Sequence, residues 1–369
     1  MLGSTTMTDR ANVERLRVMV LFGGRSDEHE VSVLSALNVL SAMDLEKYEP
    51  VPVYIGRDGR WRLSELAAGS LSRPTNGAYV VLVPGGRGNV MDLSPDGRLD
   101  ELPPVDAIFP VLHGQWGEDG SIQGVIVTAH VPLIGCGIAG SANALDKDVA
   151  KRLLREAALP VARSVTLRRD HPETFEVVKR KLGVPFFLKP VTQGSSVGVG
   201  KVETDEEYQT VLASGFELDR RMLAEEHITG REIECAVLER PDGSLFVSRP
   251  GEIVPSAVHG FYTYDAKYVD PDGAELHVPA DLPDDKEASI RSMADQAFRA
   301  VGCDGMARVD FFLKPDGELV INELNTMPGF TDISMYPKAM AASGIDGPEL
   351  IDRLIAHGLA RFRIENHGQ

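Results

Sequence analysis

The stretch Ala307-Arg-Val-Asp-Phe-Phe-Leu313, Lys-Pro-Asp-Gly-Glu318, Leu319-Val-Ile-Asn-Glu-Leu-Asn325 decides the fold. Its two arms are rich in Val, Ile, Leu and Phe, and Pro-Asp-Gly is a turn signal, so it reads as a β-hairpin. A four-residue loop, Pro315 to Glu318, would close Lys314 against Leu319. Alternation along the strands then sets Asp310 opposite Glu323 and Arg308 opposite Asn325, all on one face. Burying such groups without partners costs on the order of several kcal/mol each. Two carboxylates and an amide oxygen on one spot suit a hard divalent cation, and magnesium takes one or two carboxylates together with phosphate oxygens. The plain alternative is a surface hairpin whose polar face is simply solvated.

The length of 369 residues predicts two to three domains, and 43% hydrophobic with 25% charged residues is ordinary for a globular protein. The net charge, 38 − 55 = −17, argues against nucleic acid and anionic membrane surfaces as partners, while leaving room for a local basic pocket. Cys136, Cys235 and Cys303 are odd in number and lack CxxC spacing, so a disulfide framework or zinc site is not expected. No apolar run reaches membrane-span length, and the polar segment Met1–Arg17 lacks a signal-peptide core. These features predict a cytoplasmic protein with a loose tail over residues 1–17.

An α/β domain is expected over residues 18–138. Its strands fall at Val18–Phe22, Pro52–Ile55, Tyr79–Val83, Ala107–Leu112 and Pro132–Gly135, with helices from Ser26 to Met43 and Ser121 to Ala129. Such alternation implies a doubly wound parallel sheet with ligands at the strands' carboxyl ends, where Gly23–Glu30 and His113–Asp119 lie. Segments 64–76 and 84–97 read as loops. A helix over 142–158, with Leu145, Val149 and Leu153 on one stripe, opens a middle unit (139–222). That unit continues with strands Ser164–Leu167, Phe186–Lys189 and Gly198–Val202 and helices Pro172–Leu182 and Asp205–Ala213. The last unit (223–369) begins with a strand ending at Glu225. It then holds strand Glu232–Glu239, a hairpin over Pro241–Gly243, the acidic hairpin, and helices Asp285–Val301, Met335–Ser343 and Pro348–Phe362. Segment 256–279, rich in Tyr, Gly, Pro and Asp, reads as a lid.

The turn Gln193-Gly-Ser-Ser-Val-Gly-Val-Gly200 offers successive backbone N–H groups to an anion, with Lys189 just before it on the same strand. Alone it equally fits a tight turn in a twisted sheet; joined to Asp310, Glu323 and Asn325 it makes a coherent ATP–magnesium site.

Four stretches closely resemble the ATP-grasp ligases: Phe187-Leu-Lys-Pro190, Gln193-Gly-Ser-Ser-Val-Gly198, Arg308-Val-Asp310 and Asn322-Glu-Leu-Asn-Thr-Met-Pro-Gly329. Within that group, Gly23-Gly-Arg-Ser-Asp-Glu-His-Glu-Val-Ser32, His113-Gly-Gln-Trp-Gly-Glu-Asp-Gly120, Tyr262-Thr-Tyr-Asp-Ala-Lys-Tyr268 and Pro328-Gly-Phe-Thr331 resemble the D-alanine–D-alanine ligases, in order from about Val18 to Phe362. The resemblance implies a doubly wound N-terminal domain and two α+β domains clamping ATP. It also implies a two-step reaction: ATP phosphorylates one D-alanine, and a second D-alanine's amine attacks the acyl phosphate, giving D-alanyl-D-alanine, ADP and phosphate for peptidoglycan.

By the same resemblance Glu28, Ser195, Tyr268, Arg308 and Gly329 are catalytic. Glu28 would hold the first ammonium, with His113 lining the pocket and Ser334 and Met335 binding the second carboxylate. ATP would meet Lys147, Lys189, Gly194, Ser195, Ser196, Glu225, Glu226, His227, Ile228, Glu232, Phe261, Lys267, Asn322 and Glu323. Asp310, Glu323 and Asn325 would bind two magnesium ions, with manganese and a monovalent cation left open, and a homodimer is implied. His227 stands where relatives often carry a bulkier or aromatic residue. Two other readings stay open: the depsipeptide-forming branch that uses D-lactate, and a regulatory nucleotide-binding module without turnover.

Overall fold

Five consecutive apolar residues, Val18 to Phe22, leave a strand no solvent face, and all five are fully buried. The computed structural model describes residues 15–255 and 273–366. Its first third runs β1 (Leu16–Gly23), α1 (His29–Ala42), β2 (Tyr48–Ile55), β3 (Trp61–Leu63), β4 (Leu66–Ala67), β5 (Ser70–Leu71), β6 (Tyr79–Leu82), β7 (Val90–Leu93), β8 (Leu99–Leu102), β9 (Ala107–Pro110) and α2 (Ser121–Thr128). Strands β2, β1 and β9 pair in parallel, with β3 antiparallel on the β2 edge. Val18, Val20 and Phe22 pack with Ala36, Val39 and Leu40 of α1, whereas Met19 and Leu21 pack with Ile122 and Ile126 of α2. The first strand starts before Val18 because Arg17 is tied down: its N–H donates to Asp106 at 2.7 Å and its guanidinium pairs with Glu49. Segments expected as loops hold β4, β5 and β7, the last in a three-stranded antiparallel sheet with β6 and β8. Strands of two to four residues between turn residues carry too little periodicity to be read. The strand expected at Pro132–Gly135 is reduced to one parallel bridge, Ile108 to Leu133.

The chain continues with α3 (Ile138–Leu145), α4 (Lys147–Glu156), β10 (Ser164–Arg168), α5 (Phe175–Leu182), β11 (Phe186–Pro190), β12 (Gly200–Val202), α6 (Asp205–Leu218) and β13 (Arg221–Glu226). The single helix expected over 142–158 is two, because Asp146 leaves helical geometry and accepts the Val149 N–H at 3.0 Å as an N-cap. The buried face of α4 is Ala150, Lys151 and Leu154 rather than the Val149/Leu153 stripe. The second sheet runs β10-β13-β11-β12, antiparallel throughout, over a core that includes Leu167, Val178, Phe186 and Tyr208. Its central β13 overturns the boundary expected at 222/223: Met222, Leu223 and Ala224 are fully buried within this sheet, and the crossing to the next strand follows Glu226.

The last part holds β14 (Arg231–Glu239), β15 (Leu245–Val247), β16 (Gly251–Pro255), β17 (Ala274–His277), α7 (Asp284–Val301), β18 (Met306–Leu313), β19 (Leu319–Asn325), α8 (Met335–Ala342) and α9 (Gly347–Glu365). Its sheet runs β17-β16-β14-β18-β19, with β15 also on β14. Ala144 of α3 and Leu154 of α4 join α7 in the core under Val309, Phe311 and Ile321, so α3 and α4 pack on this sheet, while Asp146 and Asp148 at the start of α4 bond Arg221 and Thr166 of the second. Tyr336, Met340, Leu354 and Ile355 share a core with Val18 and Phe109, fastening the first and third sheets together. Within the expected lid, 274–277 is strand β17 paired to β16, while Phe261, Tyr262, Tyr264, Lys267 and Tyr268 lie outside the described residues.

Candidate active site

The acidic hairpin places Arg308 opposite Asn325 and Asp310 opposite Glu323, though not by the expected loop. Lys314 pairs with Glu318 instead, its N–H donating at 2.9 Å to the Glu318 carbonyl, and Gly317 takes φ +85° in a three-residue turn. This offsets the pairing by one residue, Leu313 against Leu319, until a bulge beyond Asp310 leaves Asn322 unmatched and restores the register. A third acid, Glu234 of β14, lies opposite Asp310, so Glu234, Asp310 and Glu323 form a row across three adjacent strands. Arg308 donates Nε and Nη2 to the two Asp310 oxygens, both at 2.7 Å, and its Nε lies 3.0 Å from Glu234. Asn325 Nδ2 also donates to Asp310, at 3.0 Å. Asp310, Glu323 and the amide oxygen of Asn325 are hard oxygen donors of the kind that fits a divalent cation. No three metal-binding side chains among the described residues yet converge on one point, and Arg308 holds both oxygens of Asp310. Glu234 was not singled out from the sequence; its signal was the i, i+2 spacing from Glu232, which puts both on the site face of β14.

Two cavities meet at Glu323, at one end of this row. The larger, ≈ 550 Å³, lies between the second and third sheets and is lined by Phe187, Lys189, Gly194–Ser196, Glu225–Glu232, Phe312, Asn322 and Glu323 among others. The smaller, ≈ 50 Å³, is lined by Glu28, His113, Glu118, Arg308, Asn325 and Gly329 among others. Lys147, Gly194, Ser195 and Glu323 line both. The first has the size of a cofactor cleft; the second has room only for a small polar molecule.

The glycine-rich turn reaches the common wall in an unusual conformation. Ser195 (φ +46°) and Ser196 (φ +60°) are consecutive left-handed residues, each costing about 1–2 kcal/mol, and such a curl brings neighbouring N–H groups toward one concave side. Lys147, first residue of α4, donates to the Gln193 carbonyl across this turn. The Ser195 hydroxyl donates to Glu28 Oε1. A Cβ at Gly114 or Gly194 would come within 2.7 or 2.9 Å of Glu28 Oε2, so both glycines leave space around that carboxylate.

His113 is held as a neutral ring. Its Nδ1 must donate to the Met327 carbonyl at 2.9 Å, leaving Nε2 to accept from Ser35 Oγ at 3.1 Å, and burial lowers its proton affinity. Glu118, also missed from sequence, accepts N–H groups from Gly114 (2.8 Å) and Met327 (2.9 Å), joining the first and third sheets' loops. Burial and then Glu28 push its carboxyl up to about 8. Ser334 and Met335 stand back from the small cavity. Ser334 Oγ accepts the Thr331 N–H at 3.0 Å and would lie 2.6 Å from a Cβ on Gly329, while the Met335 side chain is buried against Gly251. Any contact of Met335 with a ligand therefore falls to its main chain.

Lys189, which lines the larger cleft, and the buried Lys151 both pair with Glu225. Burial raises the Glu225 pKa, but the two ammoniums outweigh it and hold the carboxyl at about 2. The Glu226 carboxylate takes the Arg163 N–H at 2.7 Å and Nε at 2.6 Å, and the Glu226 N–H goes to the Arg163 carbonyl at 3.0 Å. The His227 ring meets Phe187 edge-on, centroids 5.5 Å apart.

Models of the D-Ala–D-Ala ligase N-terminus and C-terminus match residues 17–136 and 153–356. The chain belongs to the D-alanine–D-alanine ligase family. It is 56% identical over 347 residues to D-alanine–D-alanine ligase A of Brucella suis biovar 1, covering 94% of this chain and 98% of that protein. It is 45% identical over 367 residues to D-alanine–D-alanine ligase A of Escherichia coli K12, covering 96% and 98%. Among solved structures, the D-alanine–D-alanine ligase from Coxiella burnetii superposes with a TM-score of 0.82 at 34% identity, over 96% of this chain and 97% of that chain. The VanG D-Ala:D-Ser ligase from Enterococcus faecalis gives 0.80 at 34%, over 94% and 100%.

In this ligase-family chain the Glu225 cluster gives a pH signature. The carboxyl is held at about 2 against an ordinary 4.5, so its stabilisation is complete above pH 4.5 and is lost as the pH falls toward about 2. Thermal unfolding of the wild type and E225Q between about pH 5 and pH 2 should show their gap narrowing as acid is added. A constant gap contradicts this.

Proposed function

We propose that the protein is an ATP-grasp enzyme that condenses two D-alanines through a D-alanyl phosphate. The larger cleft takes ATP and the small cavity takes the first D-alanine. The observation that carries this reading is the wall common to both cavities, built from Lys147, Gly194, Ser195 and Glu323. A phosphoryl group at that wall touches the nucleotide cleft on one side and a bound small acid on the other.

Adenine lies against Phe187 with main-chain contacts from Glu226, His227 and Ile228, and Glu232 takes the ribose. Lys147, Lys189 and the N–H groups of Gly194, Ser195 and Ser196 hold phosphate oxygens. Asp310, Glu323 and Asn325, with Asn322 beside them, would hold magnesium, which neutralises phosphate charge when bound. Glu28, steadied by Ser195, takes the first D-alanine's ammonium. A carboxylate oxygen of that substrate attacks the γ-phosphorus, the bond to the β-phosphate oxygen breaks, and ADP departs. The second D-alanine's amine then attacks the acyl carbon, loses a proton, and phosphate leaves. Arg308 and the Gly329 N–H face the oxygen on which negative charge develops. The main chain at Ser334 and Met335 meets the second carboxylate.

Among the described residues no helix is long and apolar enough to cross a membrane. A cytoplasmic homodimer supplying peptidoglycan synthesis follows the family pattern. The reading is tested by incubating the protein with ATP, magnesium and D-alanine, alone or with D-serine or D-lactate, and identifying products by mass. D-Alanyl-D-alanine with one phosphate per dipeptide is expected to predominate. A dominant mixed product would move the assignment to another branch, and ATP binding without D-alanine-dependent phosphate release would leave a non-catalytic module.

A further inference from the structure

Lys151 has no place in the reaction as described, yet it is the costliest kind of residue to bury. It is 2% exposed in the middle of α4, flanked on the same face by Ala150 and Leu154. Desolvating an ammonium is costly even when it is paired, and a hydrophobic residue of similar size is often neutral or better at such positions. Its partner is Glu225, itself 6% exposed. Glu225 gives one oxygen to each of two lysines, Oε1 to Lys151 and Oε2 to Lys189. The two lysines are not equivalent: the Lys189 side chain is 12% exposed against 2% for Lys151, and Lys189 lines the large cleft while Lys151 does not.

We propose that Lys151 is a positioning residue for the nucleotide, holding Glu225 so that Lys189 is aimed into the cleft yet free to turn to a phosphate. One carboxylate shared by two ammoniums leaves an excess positive charge, and that excess sits on the cleft side. Without Lys151, Glu225 and Lys189 would form a private buried ion pair. An incoming phosphate would then compete with that pair and would leave Glu225 buried without a partner, the arrangement that is most costly. With Lys151 in place, Glu225 keeps a partner when Lys189 moves. The inference rests on the reading that the large cleft takes ATP.

The test compares K151M, E225Q, K151M/E225Q and K189M by steady-state kinetics, with thermal unfolding to establish that each is folded. K151M is expected to raise KM for ATP about ten-fold while KM for D-alanine stays within about two-fold. The double variant is expected to recover most of that loss, since the neutral amide that E225Q introduces no longer holds Lys189. An unchanged KM for ATP in K151M, or a loss that the double variant fails to relieve, overturns the proposal. If K151M does not fold, the double variant is read against E225Q: agreement within about three-fold supports the proposal, and a further ten-fold rise overturns it. An unchanged KM for ATP in K189M would instead overturn the nucleotide reading, and this inference with it.

Discussion

Arg308→Met is expected to lower kcat by about 10²- to 10³-fold while ATP affinity changes only a few-fold. The guanidinium lines the small cavity together with Gly329, where charge would develop on the acyl oxygen and the transferring phosphoryl group. Losing such a donor removes an interaction made in the transition state, which appears in kcat more than in KM. The same substitution has a structural effect. Arg308 is the cation that Asp310 and Glu234 share, and both acids are nearly buried. Its removal breaks a buried charge pair, a loss of about 3–5 kcal/mol. Magnesium with ADP should therefore raise the melting temperature of R308M more than that of the wild type. Arg308→Lys should fall between, because a point charge cannot bond both oxygens of Asp310 side by side. A variant with normal kcat would remove Arg308 from the chemistry.

Asp310→Asn is expected to raise the magnesium concentration for half-maximal rate at least ten- to hundred-fold, roughly the penalty for disturbing even an outer partner of a metal site. Asp310 is central to the row of three acids and engages Arg308 and Asn325 at once. Glu234→Gln separates the roles along that row. It keeps Asp310 and Glu323 intact, so it should lower stability while leaving the magnesium titration unchanged. Initial rates across a magnesium series, with melting curves for both variants, check the pair. An unmoved midpoint in D310N would mean the row does not serve a cation.

Much of this site was legible because its residues break the rules of their surroundings. Asp310 and Glu323 stand out as acids within apolar strands, and their pairing came out as expected. It did so through two offsetting departures, a tighter turn at Gly317 and a bulge at Asn322, neither of which alternation reveals. Glu234 and Lys151 were missed for the opposite reason. An acid in a strand and a lysine in an amphipathic helix look like solvent-facing residues until neighbouring elements cover them. The unit boundary near 222 failed because strand pairing is a property of the sheet: nothing in Met222–Ala224 says that β13 pairs with β10 and β11. The break at Asp146 could have been read, since Asp followed by a charged first turn is an N-cap signal, but the apolar stripe running across it masked it.

The proposed reaction carries a phosphoryl group from the nucleotide cleft to a carboxylate in the adjoining cavity. It is tested most directly by running the reaction with D-alanine labelled with ¹⁸O in its carboxylate and analysing the released phosphate by mass spectrometry. Passage through D-alanyl phosphate predicts that one labelled oxygen leaves with each phosphate for every dipeptide formed. Unlabelled phosphate accompanying normal dipeptide would contradict it.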